Sequence, residues 1–479
     1  MKTLASTTVR LVLVALFTLP AAVSGQQAPR AGFADASARV DGIFQAWNSP
    51  DSPGCAVGVA QGGSPVLMRA YGMADLEHDI ANTPATIFEA GSVSKQFTAA
   101  AIVLLAEQGR ISLDDDVRKY VPELPDFGTP VTIRHMMTHT SGLRDWGSVA
   151  SIAGWGRTSR THTHDHVVDI LSRQRGLNFE PGSEYSYSNS GYNLMAVIVE
   201  RVSGMPFAEF SQRFIFEPLG LKDTQWRDDY TRIVKGRSSA YSFRGGDWAI
   251  DRPIENVHGN GGLLTTVADL ITWNQALAEG RIGGATFVQT MHTPQVLNNG
   301  EAITYAGGLM IDEYRGVPQV SHTGSTSGYR AFLGRYPDQQ VDVAVLCNAG
   351  NVNPGNVGRQ VAEVFLGDAL RPAAARPASQ QGLQNRPAAP EYTAAELAAF
   401  AGEYYSPDVE ITVRVTVEDG RLVLHRRPAT RMTLTPAAPD EFGSGLGRLT
   451  FIRDDQGMVS QFSINQARVY DLRFDRVPE

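Results

Sequence analysis

Alternating apolar and polar positions near the start of the chain predict a β-hairpin. Residues 54–60 and 65–71 form two alternating runs, and a Gly-rich turn at 61–64 separates them. Residues 92–109 then carry apolar side chains at helical spacing and end on a glycine, which predicts a helix.

The middle of the chain alternates between helical and strand-like patterns. Helices are predicted at residues 132–137, 167–174 and 192–202, and strands at 329–335 and 341–348. Residues 146–160 are rich in Gly, Ser and Trp without clear periodicity, so a long surface loop is expected there.

A change in composition predicts a second domain at the C-terminal end. Residues 371–392 are rich in Pro, Ala, Arg and Gln and have no apolar rhythm, which is typical of a linker. Beyond it, turn residues separate alternating segments at 411–417, 421–425, 449–453 and 459–464. This pattern predicts a small antiparallel β domain, with a barrel as one solution.

The first residues have the three-part layout of a signal peptide. Lys2 and Arg10 form a basic start, residues 11–23 are apolar, and small residues follow at 23–25. We therefore expect residues 1–25 to be removed and the protein to be exported, either periplasmic or secreted. An uncleaved signal anchor is the alternative. The apolar run is too short to span a bilayer, and no longer one follows, so no membrane span is predicted.

The net charge limits which partners the chain can bind, and the cysteine count limits how many disulfides it can form. Without residues 1–25 the chain carries 40 basic and 50 acidic residues, a net charge of −10. Such a surface repels nucleic acid, so nucleic-acid partners are not expected. Cys55 and Cys347 are too few for a disulfide framework, and whether they meet depends on the fold.

A candidate nucleophile and base lie one helical turn apart at Ser92 and Lys95. A spacing of three residues puts both side chains on one helix face. A serine hydroxyl needs a nearby base, and a lysine can act as one when burial lowers its pKa. Among five lysines, only Lys95 follows a serine at this spacing. Taken alone, the motif also fits an exposed pair on a helix.

Two further short motifs carry suitable groups. Tyr187 can pass protons, and the Asn189 amide two residues later can hold a substrate carbonyl. Taken alone, that segment also fits a turn of small polar residues before a helix. His322 and Thr323 supply donors ahead of a predicted strand, and Gly324 would let substrate backbone lie against the strand edge.

Together and in this order, these motifs resemble those of the serine β-lactamase and penicillin-binding-protein superfamily. The branch resembled contains class C β-lactamases, D-aminopeptidases and related esterases. The resemblance covers about residues 36–370 and includes connecting segments at 133–143, 216–224 and 261–269.

The resemblance implies a mixed α and β fold. A hydrolase domain at 26–370 would have an antiparallel sheet flanked by helices, a helical subdomain and a cleft between them. The tail at 393–479 is similar to the small, lipocalin-like β-barrel domains of some members. In the family's sheet the first strand lies beside the last one of the domain. That implies a disulfide between Cys55 and Cys347 as a hypothesis.

The resemblance also implies roles. Ser92 would attack a carbonyl to form an acyl-enzyme, with Lys95 and Tyr187 managing the proton and water releasing the acyl group. The backbone amides of Ser92 and Ser325 would hold the oxyanion. Asn189 and Thr323 would place the substrate. No cofactor and no metal are expected.

One departure affects the substrate. True β-lactamases and penicillin-binding proteins usually have a lysine where this chain has His322, and a largely neutral imidazole attracts a carboxylate less well. We therefore expect cleavage of an amide or ester in a small molecule or short peptide. A β-lactamase or D,D-carboxypeptidase with weak β-lactam turnover is the alternative.

Two alternative functions from classes other than hydrolases also stay open. The chain could be a sensor that is acylated without turnover, or an inactive scaffold whose working part is the C-terminal domain. A homo-oligomer formed through that domain is a further expectation.

A histidine-rich segment suggests another class of site. His162, His164, Asp165 and His166 match the pattern of metallo-β-lactamase-fold hydrolases. In that fold the motif follows a hydrophobic strand, whereas here it follows the predicted loop. We therefore interpret the segment as a polar start of the next helix, capped by a residue such as Thr163.

Overall fold

The computed structural model describes residues 31–372 and 389–478. The predicted signal peptide at 1–25 and most of the predicted linker at 371–392 lie outside these residues, so both boundaries stay predictions. Within the described ranges, none of the helices combines the length and apolar character that a membrane crossing requires.

An antiparallel sheet forms the centre of the first domain. The strands between residues 31 and 372 are β1 (Cys55–Gln61), β2 (Ser64–Tyr71), β3 (Met73–Asp75), β4 (Ile80–Ala81), β5 (Phe88–Glu89), β6 (Gln225–Trp226), β7 (Tyr241–Arg244), β8 (Asp247–Ile250), β9 (Leu263–Thr265), β10 (Met310–Tyr314), β11 (Val317–Thr326), β12 (Tyr329–Tyr336) and β13 (Val341–Cys347). The main sheet has the order β10, β11, β12, β13, β1, β2, and the others form sheets of two or three short strands.

Helices cover both faces of this sheet. The helices of the first domain are α1 (Ala31–Phe44), α2 (Lys95–Glu107), α3 (Ile133–Met137), α4 (Trp146–Ile152), α5 (His164–Ser172), α6 (Asn189–Ser203), α7 (Phe207–Ser211), α8 (Glu217–Leu219), α9 (Val267–Glu279), α10 (Gly284–His292) and α11 (Pro354–Leu366). The last helix, α12 (Ala394–Ala398), packs instead against strands of the C-terminal domain. Because side chains alternate along a strand, Val57 and Val59 of β1 face α1 and α11, whereas Ala56 and Ala60 belong to the core on the α2 and α9 side.

The second domain is a closed antiparallel barrel of eight strands, so the predicted fold class is confirmed. Its strands are β14 (Gly402–Ser406), β15 (Ile411–Glu418), β16 (Arg421–Arg426), β17 (Thr430–Ala438), β18 (Glu441–Ser444), β19 (Gly447–Arg453), β20 (Val459–Gln466) and β21 (Val469–Arg476). β14 pairs with β21 and closes the ring. Packed aromatic rings fill the interior, among them Phe442, Phe451 and Phe462.

The prediction of a surface loop at 146–160 is wrong for its first half, where the chain forms α4. Trp146 is fully buried, and its indole N–H donates to Asn193 Oδ1 at 2.8 Å. The Asp145 side chain caps the helix by accepting from the Ser148 amide at 3.0 Å. A helix of seven residues is too short to show apolar periodicity, and packing stabilises it instead.

Cys55 and Cys347 lie opposite each other where β1 pairs with β13. The structure joins them in a disulfide, with their Cα atoms 4.0 Å apart. That separation lies below the limit of about 7 Å for a bridge. Both residues are buried, and the link ties the first strand of the main sheet to its neighbour from the end of the domain.

A buried ion pair holds the barrel against the helical part of the first domain. The Asp408 carboxylate accepts from Arg144 Nη1 at 2.7 Å and from Arg175 Nε at 2.8 Å. The Asp408 and Arg144 side chains are only 4% and 5% exposed. Arg426 of the barrel also donates to the carbonyl of Ile152 at 2.7 Å, at the end of α4. These contacts seat the barrel beside the cleft.

Candidate active site

Ser92 lies on a tight helical turn, Gly91–Ser94, that leads directly into α2. Ser94 Oγ donates to the Gly91 carbonyl at 2.5 Å and closes this turn. Gly91 has φ +51, and a Cβ there would lie 2.5 Å from the Ser325 amide nitrogen. Glycine is therefore required both for the turn and for the close approach of β11. Ser92 itself is partly exposed and lines the cleft.

Lys95 follows one turn later and is fully buried. Its Nζ lies 3.2 Å from Ser92 Oγ, 3.0 Å from Asn189 Oδ1 and 2.7 Å from the Asn260 carbonyl. Burial lowers the pKa of Lys95 well below its ordinary value, and the positive charges of Arg157 and Arg468 lower it further.

The lowered pKa favours a neutral amine at Lys95, and a neutral amine can also make these three contacts. An uncharged amine has two N–H donors and one lone pair, whereas an ammonium has three donors and no lone pair. Asn189 Oδ1 and the Asn260 carbonyl can only accept, so they take the two donors. The lone pair then faces the hydroxyl of Ser92. The arrangement is suited to removing the Ser92 proton.

The Tyr187 ring lies next to the amine, with its centroid 4.8 Å from Lys95 Nζ. Its hydroxyl oxygen is buried and lacks a hydrogen-bond partner among the described residues. Burial raises the pKa of Tyr187, so the phenol keeps its proton. A phenolate is therefore disfavoured at Tyr187, and Lys95 is the better base in the resting site.

The Asn189 amide is oriented by a carboxylate that the sequence did not point to. Asp145 Oδ2 accepts from the Asn189 backbone amide at 2.8 Å and from Asn189 Nδ2 at 2.9 Å. Because Nδ2 is held by Asp145, Oδ1 is left to face Lys95. Asn189 begins α6, although sequence periodicity predicts that helix only from residue 192.

The β11 strand forms the opposite wall of the cleft. A Cβ at Gly324 would lie 2.0 Å from the Ala90 carbonyl and 3.1 Å from the Ser92 amide nitrogen, so only glycine allows this approach. The approach brings the Ser92 amide and the neighbouring Ser325 amide to the same edge of the cleft. Two such N–H groups are what an oxyanion hole requires.

His322 on the same strand is buried and uncharged. Burial lowers the pKa of His322 to about 4. Its Nε2 lies 2.9 Å from the Tyr305 hydroxyl, and its Nδ1 lies 2.5 Å from the Thr323 carbonyl. This imidazole is therefore held as a neutral polar group in the wall.

A model of the beta-lactamase family matches residues 40–366, more than half of the chain. The chain belongs to the beta-lactamase family. It is similar to penicillin-binding protein 4* of Bacillus subtilis, with 29% identity over 404 residues that cover 80% of this chain and 86% of that protein. D-aminopeptidase of Brucella canis is 29% identical over 301 residues, 62% of this chain. These residues are 56% of that relative, so this chain spans about half of its length.

Solved structures show the same family fold. The octameric penicillin-binding protein homologue from Pyrococcus abyssi superposes with a TM-score of 0.61 and 24% identity. The match covers 92% of this chain and 99% of that one, so it extends over the barrel as well. The relatives include a D-aminopeptidase, and the family is one of hydrolases.

In this beta-lactamase-family chain, the residues singled out from sequence surround one cleft of about 750 Å³. Lys95 lies directly beneath Ser92. The predicted residues that line the cleft itself are Ser92, Tyr187, Asn189, His322, Thr323, Gly324 and Ser325. Sequence reasoning missed Asp145, the Asn260 carbonyl and four arginines, which are Arg157, Arg330, Arg359 and Arg468. None of these carries a local motif that could have identified it.

The histidines of the histidine-rich segment each contact a different partner and do not converge on one point. His162 Nε2 lies 3.0 Å from the Trp155 carbonyl, and His164 Nε2 lies 2.9 Å from the His258 carbonyl. His166 Nδ1 accepts from the amide of Thr163, the N-cap of α5. Within residues 31–372 and 389–478, His, Cys, Asp and Glu form no group of three that could hold a metal.

Proposed function

We propose that this protein is a serine hydrolase that cleaves an ester or amide bond through an acyl-enzyme at Ser92. The observation that carries the proposal is the hydrogen-bond geometry of Lys95. Nζ lies within hydrogen-bond distance of Asn189 Oδ1, the Asn260 carbonyl and Ser92 Oγ. In the neutral amine that burial favours, the first two take the N–H donors and the lone pair faces Ser92 Oγ.

The first step forms the acyl-enzyme. Ser92 Oγ bonds to the substrate carbonyl carbon while its proton passes to Lys95 Nζ. The carbonyl oxygen gains negative charge, which the Ser92 and Ser325 amides stabilise. When the tetrahedral intermediate collapses, the bond to the leaving group breaks. The Tyr187 hydroxyl would give that group a proton and regain one from Lys95.

The second step releases the acyl group. A water molecule gives a proton to the Lys95 and Tyr187 pair and attacks the ester carbon, after which Ser92 takes a proton back as the product leaves. Asn189 and Thr323 would hold the substrate carbonyl and backbone against β11. A sensor without turnover would stop before this step.

Export, either to the periplasm or by secretion from the cell, is part of the same proposal. It rests on the basic and apolar pattern of residues 1–25. The bond between Cys55 and Cys347 supports it, because disulfides persist in oxidising compartments. Assembly of several copies through the barrel also stays a prediction.

A substrate panel on wild type and Ser92→Ala tests the reaction. Short-chain p-nitrophenyl esters, D-amino-acid amides and a chromogenic cephalosporin would be assayed for burst and steady-state rates. We expect steady turnover of an ester or amide in wild type and a loss of at least about 1,000-fold in kcat for Ser92→Ala. Ser183→Ala serves as the matched control and should behave as wild type, because Ser183 is a half-buried serine outside the cleft whose hydroxyl donates only to the nearby Glu180 carbonyl.

Two results would contradict the proposal. Equal rates for wild type and Ser92→Ala would remove Ser92 from the chemistry. A burst without steady turnover on every substrate would favour the sensor. Cephalosporin turnover faster than ester or amide turnover would instead support the β-lactamase alternative.

A further inference from the structure

One residue of the connecting segment at 133–143 holds the backbone on both sides of Tyr187. His139 follows shortly after α3 and is only 1% exposed. Its backbone carbonyl accepts from the Ser186 amide at 2.9 Å, and its Nδ1 accepts from the Ser188 amide at 3.3 Å. Both chain neighbours of Tyr187 are therefore hydrogen-bonded to the same histidine.

The His139 ring also packs against the Tyr187 ring. The two ring centroids are 4.2 Å apart, whereas the Tyr305 and His322 rings lie 6.3 and 6.2 Å from that of Tyr187. On its other sides the His139 ring has the rings of Tyr192 and Tyr305 at 5.2 and 4.5 Å. This close packing limits the orientations that the Tyr187 ring can take.

The backbone of His139 is left-handed, with φ +60. It occupies the position just past the end of α3, where glycine is the usual residue because it adopts this conformation without strain. A residue with a side chain is disfavoured there, so contacts within the fold must stabilise it. The hydrogen bond to the Ser188 amide and the packing against tyrosine rings supply that stabilisation.

The His139 imidazole is suited to orienting groups and not to transferring protons. Because Nδ1 accepts from the Ser188 amide, the ring proton is assigned to Nε2. Nε2 is buried and has no hydrogen-bond partner within residues 31–372 and 389–478. Burial lowers the pKa of His139 well below its ordinary value, so the ring is neutral.

The position of the Tyr187 hydroxyl depends on this support. The hydroxyl has no hydrogen-bond partner in the part of the chain that the structure describes, so no contact of its own oxygen holds it. The backbone of residues 186–188 and the packing of the ring therefore set where this oxygen lies. A group that gives a proton to a leaving atom must lie within hydrogen-bond reach of it, so a small displacement of the Tyr187 hydroxyl lowers the rate.

We propose that His139 is a positioning residue that holds the Tyr187 hydroxyl where it can protonate the leaving group. This inference rests on the proposed hydrolase function, in which Tyr187 gives that proton. The hydrogen bonds to the Ser186 and Ser188 amides fix the backbone of Tyr187, and the packed rings fix its side chain. Loss of the His139 side chain should displace the proton donor, so the defect should grow with the leaving group's need for a proton.

A series of acetate esters tests this role. The p-nitrophenyl, phenyl, trifluoroethyl and ethyl esters share one acyl group, and the pKa of the leaving alcohol rises along the series. A p-nitrophenolate leaves without a proton, whereas an ethoxide must be protonated as it leaves. We would measure kcat/KM for each ester in a pH-stat and compare the slope of log kcat/KM against the pKa of the leaving alcohol between variants.

We expect His139→Gly to lower kcat/KM for ethyl acetate about 10- to 100-fold more than for p-nitrophenyl acetate. Glycine tolerates the left-handed backbone, so the loss reports on the side chain. His139→Asn tolerates the same backbone and keeps an acceptor in place of Nδ1, so it should show a smaller selective loss. His292→Gly is the matched control and should keep the wild-type slope, because His292 ends α10 outside the cleft and its Nδ1 contacts the Val288 carbonyl.

A double-mutant cycle shows whether His139 acts through Tyr187. Tyr187→Phe should cause a selective loss of the same kind, since it removes the proton donor. Adding His139→Gly to Tyr187→Phe should then change the ratio between the ethyl and p-nitrophenyl esters by less than about threefold. A histidine needed for folding alone would lower the melting temperature and the rates on all four esters alike.

Equal losses on all four esters in His139→Gly would overturn this inference, whereas the hydrolase proposal would stand on the loss of activity in Ser92→Ala. Equal selective losses in His139→Gly and His139→Asn would also contradict it, because only the second variant keeps an acceptor for the Ser188 amide. If Ser92→Ala keeps wild-type rates on these esters, the hydrolase proposal itself fails. Should His139→Gly not fold, as seen by its melting temperature, His139→Phe takes its place, since phenylalanine keeps a ring but lacks Nδ1.

Discussion

At the scale of single residues, burial sets the charge of the two basic groups nearest to Ser92. It lowers the pKa of Lys95 well below the ordinary lysine range and that of His322 to about 4. A protonated Lys95 has no lone pair, so it cannot take the Ser92 proton. His322 is uncharged above about pH 5 and contributes no titration there.

The pH dependence of kcat/KM shows which of the two groups, Lys95 or His322, titrates during catalysis. We expect kcat/KM for an uncharged ester such as p-nitrophenyl acetate to fall as pH falls through the pKa of Lys95. The midpoint should lie far below the ordinary lysine range, because burial favours the neutral amine. The same limb should persist between pH 5 and 10 in His322→Asn, measured beside wild type. A limb that disappears in this variant would assign the titration to His322 and contradict the role of Lys95.

At the scale of elements, the cleft depends on the close approach of β11 to the turn that carries Ser92. Ser94 Oγ accepts from the Leu263 amide of β9, which fixes the turn from the other side. Gly324 is the point of nearest approach, since a Cβ there would overlap the Ala90 carbonyl. The distance between these two elements therefore sets the separation of the Ser92 and Ser325 amides.

Replacing Gly324 tests this spacing. Gly324→Ala must push β11 away from the Ser92 turn, and a shift of about 1 Å in a catalytic group costs on the order of 100-fold in rate. We expect that loss in kcat/KM for p-nitrophenyl acetate. Gly42→Ala in α1 is the control, because its Cβ would meet no atom within 4 Å. That variant should keep its activity and gain up to about 1 kcal/mol in the free energy of unfolding. Full activity in Gly324→Ala would show that the spacing is not required.

At the scale of the whole molecule, the two domains share one cleft, because Arg468 of the barrel lines it beside Tyr187. The barrel is held by the buried pair of Asp408 and Arg144, and Arg144 also donates to the carbonyls of Tyr470 and Asp471 beside the Arg468 turn. Docking of the barrel and placement of Arg468 are thus coupled through the same guanidinium.

Removing the carboxylate of this pair should uncouple the domains. Asp408→Ala leaves Arg144 buried without its counter-ion, which costs about 3 to 5 kcal/mol. We expect a lower midpoint for the first urea transition. Asp455→Ala, at an exposed turn of the barrel, should change stability by less than about 0.5 kcal/mol. An Asp408→Ala variant with the wild-type midpoint would show that docking does not depend on this pair.

Much of the fold could be predicted because it depends on local patterns. The hairpin of β1 and β2, the helix after Ser92 and half of the barrel strands follow from periodicity and turn residues. Strands β14, β17, β18 and β21 were not predicted. β14 and β18 are only five and four residues long, and closure of the ring stabilises them. β17 and β21 do alternate, through Met432 and Leu434 and through Leu472 and Phe474, and their pattern was overlooked. Helix α4 was not predicted from the sequence either, because burial of Trp146 and not apolar periodicity holds it in place.

The sequence by itself determined the candidate nucleophile, its base and the motifs of β11, because residues such as Ser92 and Lys95 are neighbours on one helical turn. Only the tertiary structure decided what surrounds them. The Asn260 carbonyl reaches Lys95 across 165 residues, and Arg468 reaches Tyr187 from the other domain. Such contacts come from packing between distant segments, and a sequence read position by position contains no spacing that reports them.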